Sequence, residues 1–282
     1  MEIIKNQIYD EERALYNLKH TALEKCVFEG PADGESALKE AKDIAAKECV
    51  FRLRYPLWHV EKFRIEKSVL DEPSRASLWY ASDGKISDTE IKSVKAVREC
   101  ERVEIENSEI VSPEFGWKSE DITLENCHLT SEYAFFDSKN VRVKNLKFKG
   151  KYSFQYMENL LIEDSYLDTK DAFWHSKNVH VKNSVVKGEY LAWFSDGLTL
   201  ENCKIIGTQP LCYCKNLKLI DCETEEADLS FEYSDVDATI NGAIVSVKNP
   251  KSGRIVADEI GEIIHDHSIM KSSCEIARRG EK

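Results

Sequence analysis

The stretch VRVKNLKF, Val141 to Phe148, decides the fold, because the chain keeps rewriting it. ITLENCHL stands before it at Ile122–Leu129, and LLIEDSYL, VHVKNSVV and LTLENCKI follow. With Asn145 as the reference, equivalents fall at Asp88, Asn107, Asn126, Asp164, Asn183, Asn202 and Asp221, at intervals of 19 residues. Asn241 comes after 20, and upstream Lys67, Glu48 and Lys25 continue the register at intervals of 21, 19 and 23. A fixed period of this length is the mark of a solenoid, and it amounts to about 12 turns.

Within a unit apolar and polar residues alternate, as in Val141-Arg142-Val143-Lys144. That period of two, in pieces too short for a helix, indicates strands. Turn-prone pairs precede the strand at Asp83-Gly84, Lys139-Asn140, Lys177-Asn178 and Asp196-Gly197. The reference Asn or Asp suits a sharp bend, since both tolerate left-handed backbone. Stacked from turn to turn at about 4.8 Å, these side chains can also bond to one another in an asparagine ladder.

No single unit can fold alone. Ordering its backbone costs roughly 1–2 kcal/mol per residue. Five or six inward side chains return about 1.5–3 kcal/mol each even when fully buried. Neighbouring turns must therefore cover one another, hence the long array. Leucine-rich repeats are excluded because the Asn follows the last strand residue too soon, as in Val143 to Asn145. A hexapeptide helix would close a turn in 18 residues, which the 19-residue period excludes. The reading is an all-β, single-stranded, right-handed parallel β-helix forming one domain over 1–282. Residues 1–24 make an N-terminal cap and first turn, 25–241 the repeat turns, and 242–282 the C-terminal strands and tail. SIMKSSCEIARRGEK is expected to end the chain as a short helix or frayed tail.

The strings LRYPLWHV, SPEFGW, GKYSFQY, LDTKDAFWHSKNV and GTQPLCYCKNL carry a resemblance to a bacterial β-helix family catalogued only as a domain of unknown function. The resemblance spans nearly the whole chain and implies membership of the pectin-lyase-like right-handed β-helices. It implies no activity.

Bulk properties limit the partners. A net charge of −12 argues against nucleic acid or an anionic membrane. The first residues lack a basic region followed by an apolar run, and no apolar stretch is long enough to span a bilayer. Nine cysteines without an export signal read as reduced thiols in the cytoplasm. Cys212-Tyr213-Cys214 has the look of a metal or redox pair, but its spacing points both thiols inward, so packing is the expectation. No cofactor motif, phosphate-cradling loop or nucleophile elbow is present.

Chemistry, if any, should lie in the stretch before the turn pair. All five tryptophans occur nine residues before the reference position: Trp58, Trp79, Trp117, Trp174 and Trp193. Alternation places this column inward and its neighbours outward, although Arg98 and Gln155 in it fit an interior badly. The outward set is rich in rings and charges, as a ligand face would be. Ligand-binding candidates are His59, Glu114, Tyr133, Phe135, Tyr152, Phe154, Tyr156, Phe173 and Tyr190.

Glu99, Lys118, Asp137, Tyr156 and His175 would form a single file, and with Asp171 they supply the catalytic candidates. Glu99 and Asp137, two turns apart, would stand roughly 9.6 Å apart by the strand spacing. That lies near the upper end of the separation of about 6.5–9.5 Å found in inverting glycosidases. Lys118 between them suits a base but depresses the pKa that a general acid needs raised. Asp171 and His175 share a strand about 13 Å apart, too far to touch. The ligand these residues suit is an oligosaccharide or other sugar-containing molecule, to be bound and, if the protein is an enzyme, cleaved by a hydrolase or lyase reaction. The competing reading is a non-catalytic scaffold whose aromatic face docks a protein partner or a second copy in a homo-oligomer.

Overall fold

The structure, a computed structural model, describes residues 1–280. They fall into two compact units, Met1–Arg142 and Val143 onward, each a stretch of parallel β-solenoid. No α-helix occurs among the described residues; one 3-10 turn, Glu72–Ser74, is the sole helical element there.

In the first unit the strands Lys19–Glu24, Lys42–Lys47, Glu61–Glu66, Ser82–Ser87, Glu101–Glu106 and Glu120–Glu125 pair in parallel. Their register runs Thr21, Ile44, Phe63, Gly84, Val103, Ile122, one residue per turn. A second ladder of shorter strands aligns Tyr9, Phe28, Phe51, Leu70, Ile91, Ile110 and Leu129. Apart from half-buried Tyr9 these ladder members are buried, and Phe28 stacks on Phe51 with centroids 4.7 Å apart. The extra residues of the 21-residue turn after Lys67 are taken up by Glu72–Ser74, whose first N–H is capped by the Asp71 carboxylate.

In the second unit the other inward column of these strands, two residues nearer the bend, aligns Ile162, Val181, Leu200, Leu219, Ala238, Ile255 and Ile276. Its last member belongs to Glu275–Arg278, a strand paired with Ser252–Ile264. The tail expected as a helix or frayed end is therefore a further rung. With Glu2–Lys5 and Ser252–Ile264 also forming rungs, the turns number about 15 rather than 12. The rungs left out of the count of 12 lie where the Asn grammar has faded, while the backbone still bends in the same way at Asn6, with φ 53°.

Every reference residue from Lys25 to Asp221 is left-handed, with φ between 47° and 54°. That includes the positions held by Lys25, Glu48 and Lys67, where side chain and bend disagree. The conformation turns each N–H along the stack. Lys25 bonds to the carbonyl of Lys47, Asn107 to Glu125, and Asn183 to Glu201, at 2.9–3.0 Å. In the second unit the side chains follow, with Asn202 Nδ2 donating to Asn183 Oδ1 at 2.9 Å and Asn183 Nδ2 to Asp164 Oδ1 at 3.3 Å.

The small column after the bend has a distinct task. Ser68 Oγ donates to its own strand at Glu66 O and accepts the buried Cys49 N–H from the turn before. Thr89, Ser108, Ser165 and Ser184 repeat one or both of these bonds. Cysteine fills the same column where a weaker donor suffices. Eight of the nine cysteines are buried as free thiols, and burial pushes Cys100 and Cys212 up to about 12 and Cys214 up to about 11. Ser195 Oγ donates to Cys214 Sγ at 3.4 Å, so the Cys212–Cys214 pair is interior packing.

Two measurements check this frame. Asn183→Ala should lower stability by about 1–2 kcal/mol in a urea titration, from left-handed strain plus the lost side-chain bonds. Asn183→Gly should lose less, because glycine adopts the bend freely; equal losses would place the whole cost in the side-chain link. A maleimide reagent should modify Cys274, the one half-exposed thiol, in native protein and all nine after denaturation.

Candidate functional site

The wall that precedes the turn pair departs from simple alternation. Residues 12, 10 and 8 places before the bend are left-handed in most turns, for example Tyr152, Phe154 and Tyr156, or Asp171, Phe173 and His175. Each left-handed residue rotates the next side chain away from the parity of a flat strand. Two consecutive columns therefore face inward, a third lies half-buried, and the fourth is exposed. This corrects the expected outward face: Phe135, Phe154 and Phe173 are at most 1% exposed and offer no ligand a ring. It also explains Arg98 and Gln155, because the tryptophan column they occupy is half-exposed rather than interior.

In the first unit this surface is aromatic and charged. Trp58 stacks on Trp79 at 5.5 Å, Trp79 on Tyr80 at 5.6 Å, and His59 meets Tyr80 edge-on at 5.1 Å. His59 Nδ1 lies 3.2 Å from a Glu40 carboxylate oxygen. Arg98 sits over Trp79 and Trp117, with its guanidinium carbon 5.8 and 5.4 Å from the two rings. Its nitrogens lie 3.5 Å from Glu99 and 3.3 Å from Glu114, and Glu114 is also 3.5 Å from Lys95. The Glu99 and Glu114 carboxylates are thus committed to cations. Lys118 and Asp137 are exposed, and Tyr133 is half-buried, its carbonyl accepting the Trp117 indole N–H at 2.6 Å.

In the second unit the exposed column becomes a file of rings. Tyr156 stacks on His175 at 5.0 Å, His175 on Phe194 at 5.0 Å, and Phe194 on Tyr213 at 4.9 Å, with planes within 17° of parallel. Tyr233 extends the file at 5.7 Å with a tilt of 43°. Beside it Trp174 stacks on Trp193 at 5.5 Å, and Tyr190 meets Trp193 edge-on. Near-parallel rings with centroids 5 Å apart are offset stacks, each face partly covered by its neighbour. Inner members therefore spend their faces on one another and present edges outward. His175 is one such member, held as a stacking element between two rings rather than against a carboxylate.

Asp171 is nearly buried, and its neighbours are Lys170 and Glu189, which pair at 3.0 Å. Lys170 also lies over the Tyr190 ring. Burial raises the Asp171 carboxyl above its ordinary value, Lys170 opposes that rise, and Glu189 adds to it. Half-buried Tyr152 donates its N–H to the Lys170 carbonyl, and Gln155 donates to the Asp171 carbonyl at 2.7 Å. Sequence reasoning missed Arg98 as a surface residue because it assumed a strict two-residue period; its misfit among the tryptophans was the available signal.

Because the folded state raises the Asp171 pKa, it binds the proton more tightly than the unfolded chain. Stability from this group is thus lost as pH rises from the ordinary carboxylate value through the raised one. Lowering the pH from 7 to 4 should stabilise the native protein relative to Asp171→Asn in matched urea titrations. An unchanged difference between the two proteins would contradict the burial argument.

Among solved structures, the chain is similar to PfbA, a surface adhesin of Streptococcus pneumoniae, with a TM-score of 0.60 at 10% identity over 82% of this chain and 84% of that one. The A-module of the mannuronan C-5 epimerase AlgE4 of Azotobacter vinelandii aligns with a TM-score of 0.40 at 10% identity, over 97% and 89% of the two chains. At these identities the likeness concerns the solenoid fold alone. Among curated proteins none matches. The sequence matches the family described as "Protein of unknown function (DUF3737)" across residues 2–277, and the chain belongs to that family.

Proposed function

We propose that this protein binds a carbohydrate chain, without transforming it, along the ring file of the second unit. The observation that carries the proposal is the prearranged row Tyr156, His175, Phe194 and Tyr213, exposed at its first three members and half-buried at Tyr213. Tyr156 and Phe194 are 48% and 46% exposed, an unusual state for large rings outside a contact surface. Their stacking fixes the side chains in advance, so little rotamer freedom is lost on binding.

The geometry favours a hydroxyl-rich ligand. Outward ring edges carry the positive rim of the aromatic quadrupole and meet electronegative oxygens well. Phenol hydroxyls and the imidazole add hydrogen bonds at a step equal to the strand spacing, which suits a polymer with a regular repeat. Binding rather than catalysis is favoured because Glu99 and Glu114 are tied to Arg98 and Lys95, and His175 is sandwiched between rings. PfbA is itself an adhesin, which accords with a solenoid of this fold class serving as a binding surface.

A glycan array followed by calorimetry on the retained sugars tests this. Wild type should retain at least one oligosaccharide, and Phe194→Ala should weaken it about tenfold, equivalent to 1.4 kcal/mol, with little change in Tm. If no glycan is retained, the carbohydrate reading fails. Self-association lost in Phe194→Ala would instead assign the row to contacts between copies.

A further inference from the structure

We infer that the first unit contains a pocket for a small organic anion, built around the indole of Trp79. Three tryptophans set the rule that Trp79 breaks. Trp117, Trp174 and Trp193 donate their indole N–H to the carbonyls of Tyr133, Tyr190 and Gln209, each 16 residues on, at 2.6, 2.6 and 2.9 Å. The N–H groups of Trp58 and Trp79 are buried without an acceptor among the described residues. An unpaired buried donor costs about 1–3 kcal/mol, so two in adjacent turns call for an explanation.

The cause is a local change of backbone. Ahead of the three paired tryptophans stand Gly116, Phe173 and Ala192, all left-handed. Ahead of the two orphans stand Leu57 and Leu78, which are extended and pair in a two-residue parallel ladder, Leu57–Trp58 with Leu78–Trp79. The 3-10 turn Glu72–Ser74 interrupts the wall just there. The hydroxyls of Ser74 and Ser77 are likewise buried without partners among the described residues.

Beside this irregularity lies a cavity of about 200 Å³ lined by Tyr55, Arg75, Trp79, Lys95 and Arg98, with Ala76 and Val94. Its lining holds three cations and no carboxylate, in a protein whose net charge is −12. Glu114 reaches Lys95 and Arg98 at 3.5 and 3.3 Å, while Arg75 has no ion pair among the described residues. Arg75 is also the exposed left-handed residue that closes the 3-10 turn.

An anionic oxygen seated among these groups gains the Arg75 guanidinium, and a small shift of the atoms covering the buried Trp79 N–H gives that donor its acceptor. Tyr55 and Trp79, packed against each other with centroids 5.9 Å apart, line the cavity with ring carbon that an apolar remainder can touch. The volume is below the roughly 300–1,000 Å³ that takes drug-sized ligands, which limits the occupant to one small carboxylate or phosphate. This pocket and the ring file belong to different units, so the inference stands whether or not the carbohydrate reading does.

The test is calorimetric titration of the whole protein with benzoate, phenyl phosphate and inorganic phosphate at fixed ionic strength, with glucose as the neutral control. At least one anion should bind and glucose should not; which anion binds separates carboxylate from phosphate chemistry. Arg75→Gln and Trp79→Phe, the latter keeping a ring while removing the N–H, should each weaken binding at least tenfold, and Trp193→Phe should leave it unchanged. Arg75 is exposed, so Arg75→Gln decides the matter alone should Trp79→Phe fold poorly. No anion binding, binding indifferent to Arg75→Gln, or equal binding of glucose would each overturn the pocket.

Discussion

One backbone event supports the rest of this protein: a left-handed residue that closes each strand and turns its N–H toward the next turn. Such a conformation costs a non-glycine residue roughly 1–2 kcal/mol. The chain adopts it at every reference position from Lys25 to Asp221. The return is a hydrogen bond along the stack at each bend and a register that places apolar residues directly above apolar residues. Neither gain exists for an isolated turn, so bend and stack depend on each other. That mutual dependence is why Lys25, Glu48 and Lys67 can occupy the bend: once neighbours fix the path, the residue need only tolerate it.

The hydroxyl and thiol column next to the bend addresses the cost of burying backbone. A tight bend leaves an inward N–H with no strand partner, and an unpaired buried donor is expensive. Serine and threonine are small enough to fit inside the coil and carry an oxygen that accepts that N–H while donating to its own strand, as Ser68 does. Cysteine fits the same space with weaker bonds, which accounts for so many thiols in a chain without disulfides.

The fold was legible because its signal is local and repeated: Asn145 and its equivalents bend where Asn and Asp should bend, and Val141 and Val143 point inward as alternation requires. The candidate site was legible only in part. Tyr156, His175 and Tyr190 do lie on the surface, whereas Phe135, Phe154 and Phe173 are core. Alternation fails there because left-handed phenylalanines and tyrosines carry no sequence signal; those residues ordinarily avoid the conformation. What betrayed the error beforehand was chemical, since Arg98 cannot be an interior residue at a position aligned with tryptophan. The last rung escaped for a related reason, as Glu275–Arg278 keeps the path after the motif has gone.

A repeat of this regularity constrains where function can sit. A column that obeys the rule satisfies its own polar groups: the indoles of Trp117, Trp174 and Trp193 all find carbonyls, and the rings of the exposed file find one another. Such a surface can present a uniform strip to a long ligand but has nothing left over for a compact one. In the tryptophan column, unspent hydrogen-bonding capacity among the described residues arises where the backbone leaves the rule, and around Leu57–Trp58 and Leu78–Trp79 the departure coincides with three cations in an otherwise acidic protein. The two kinds of surface therefore follow from one principle: regular turns make extended contact surfaces, and the irregular turn makes a pocket.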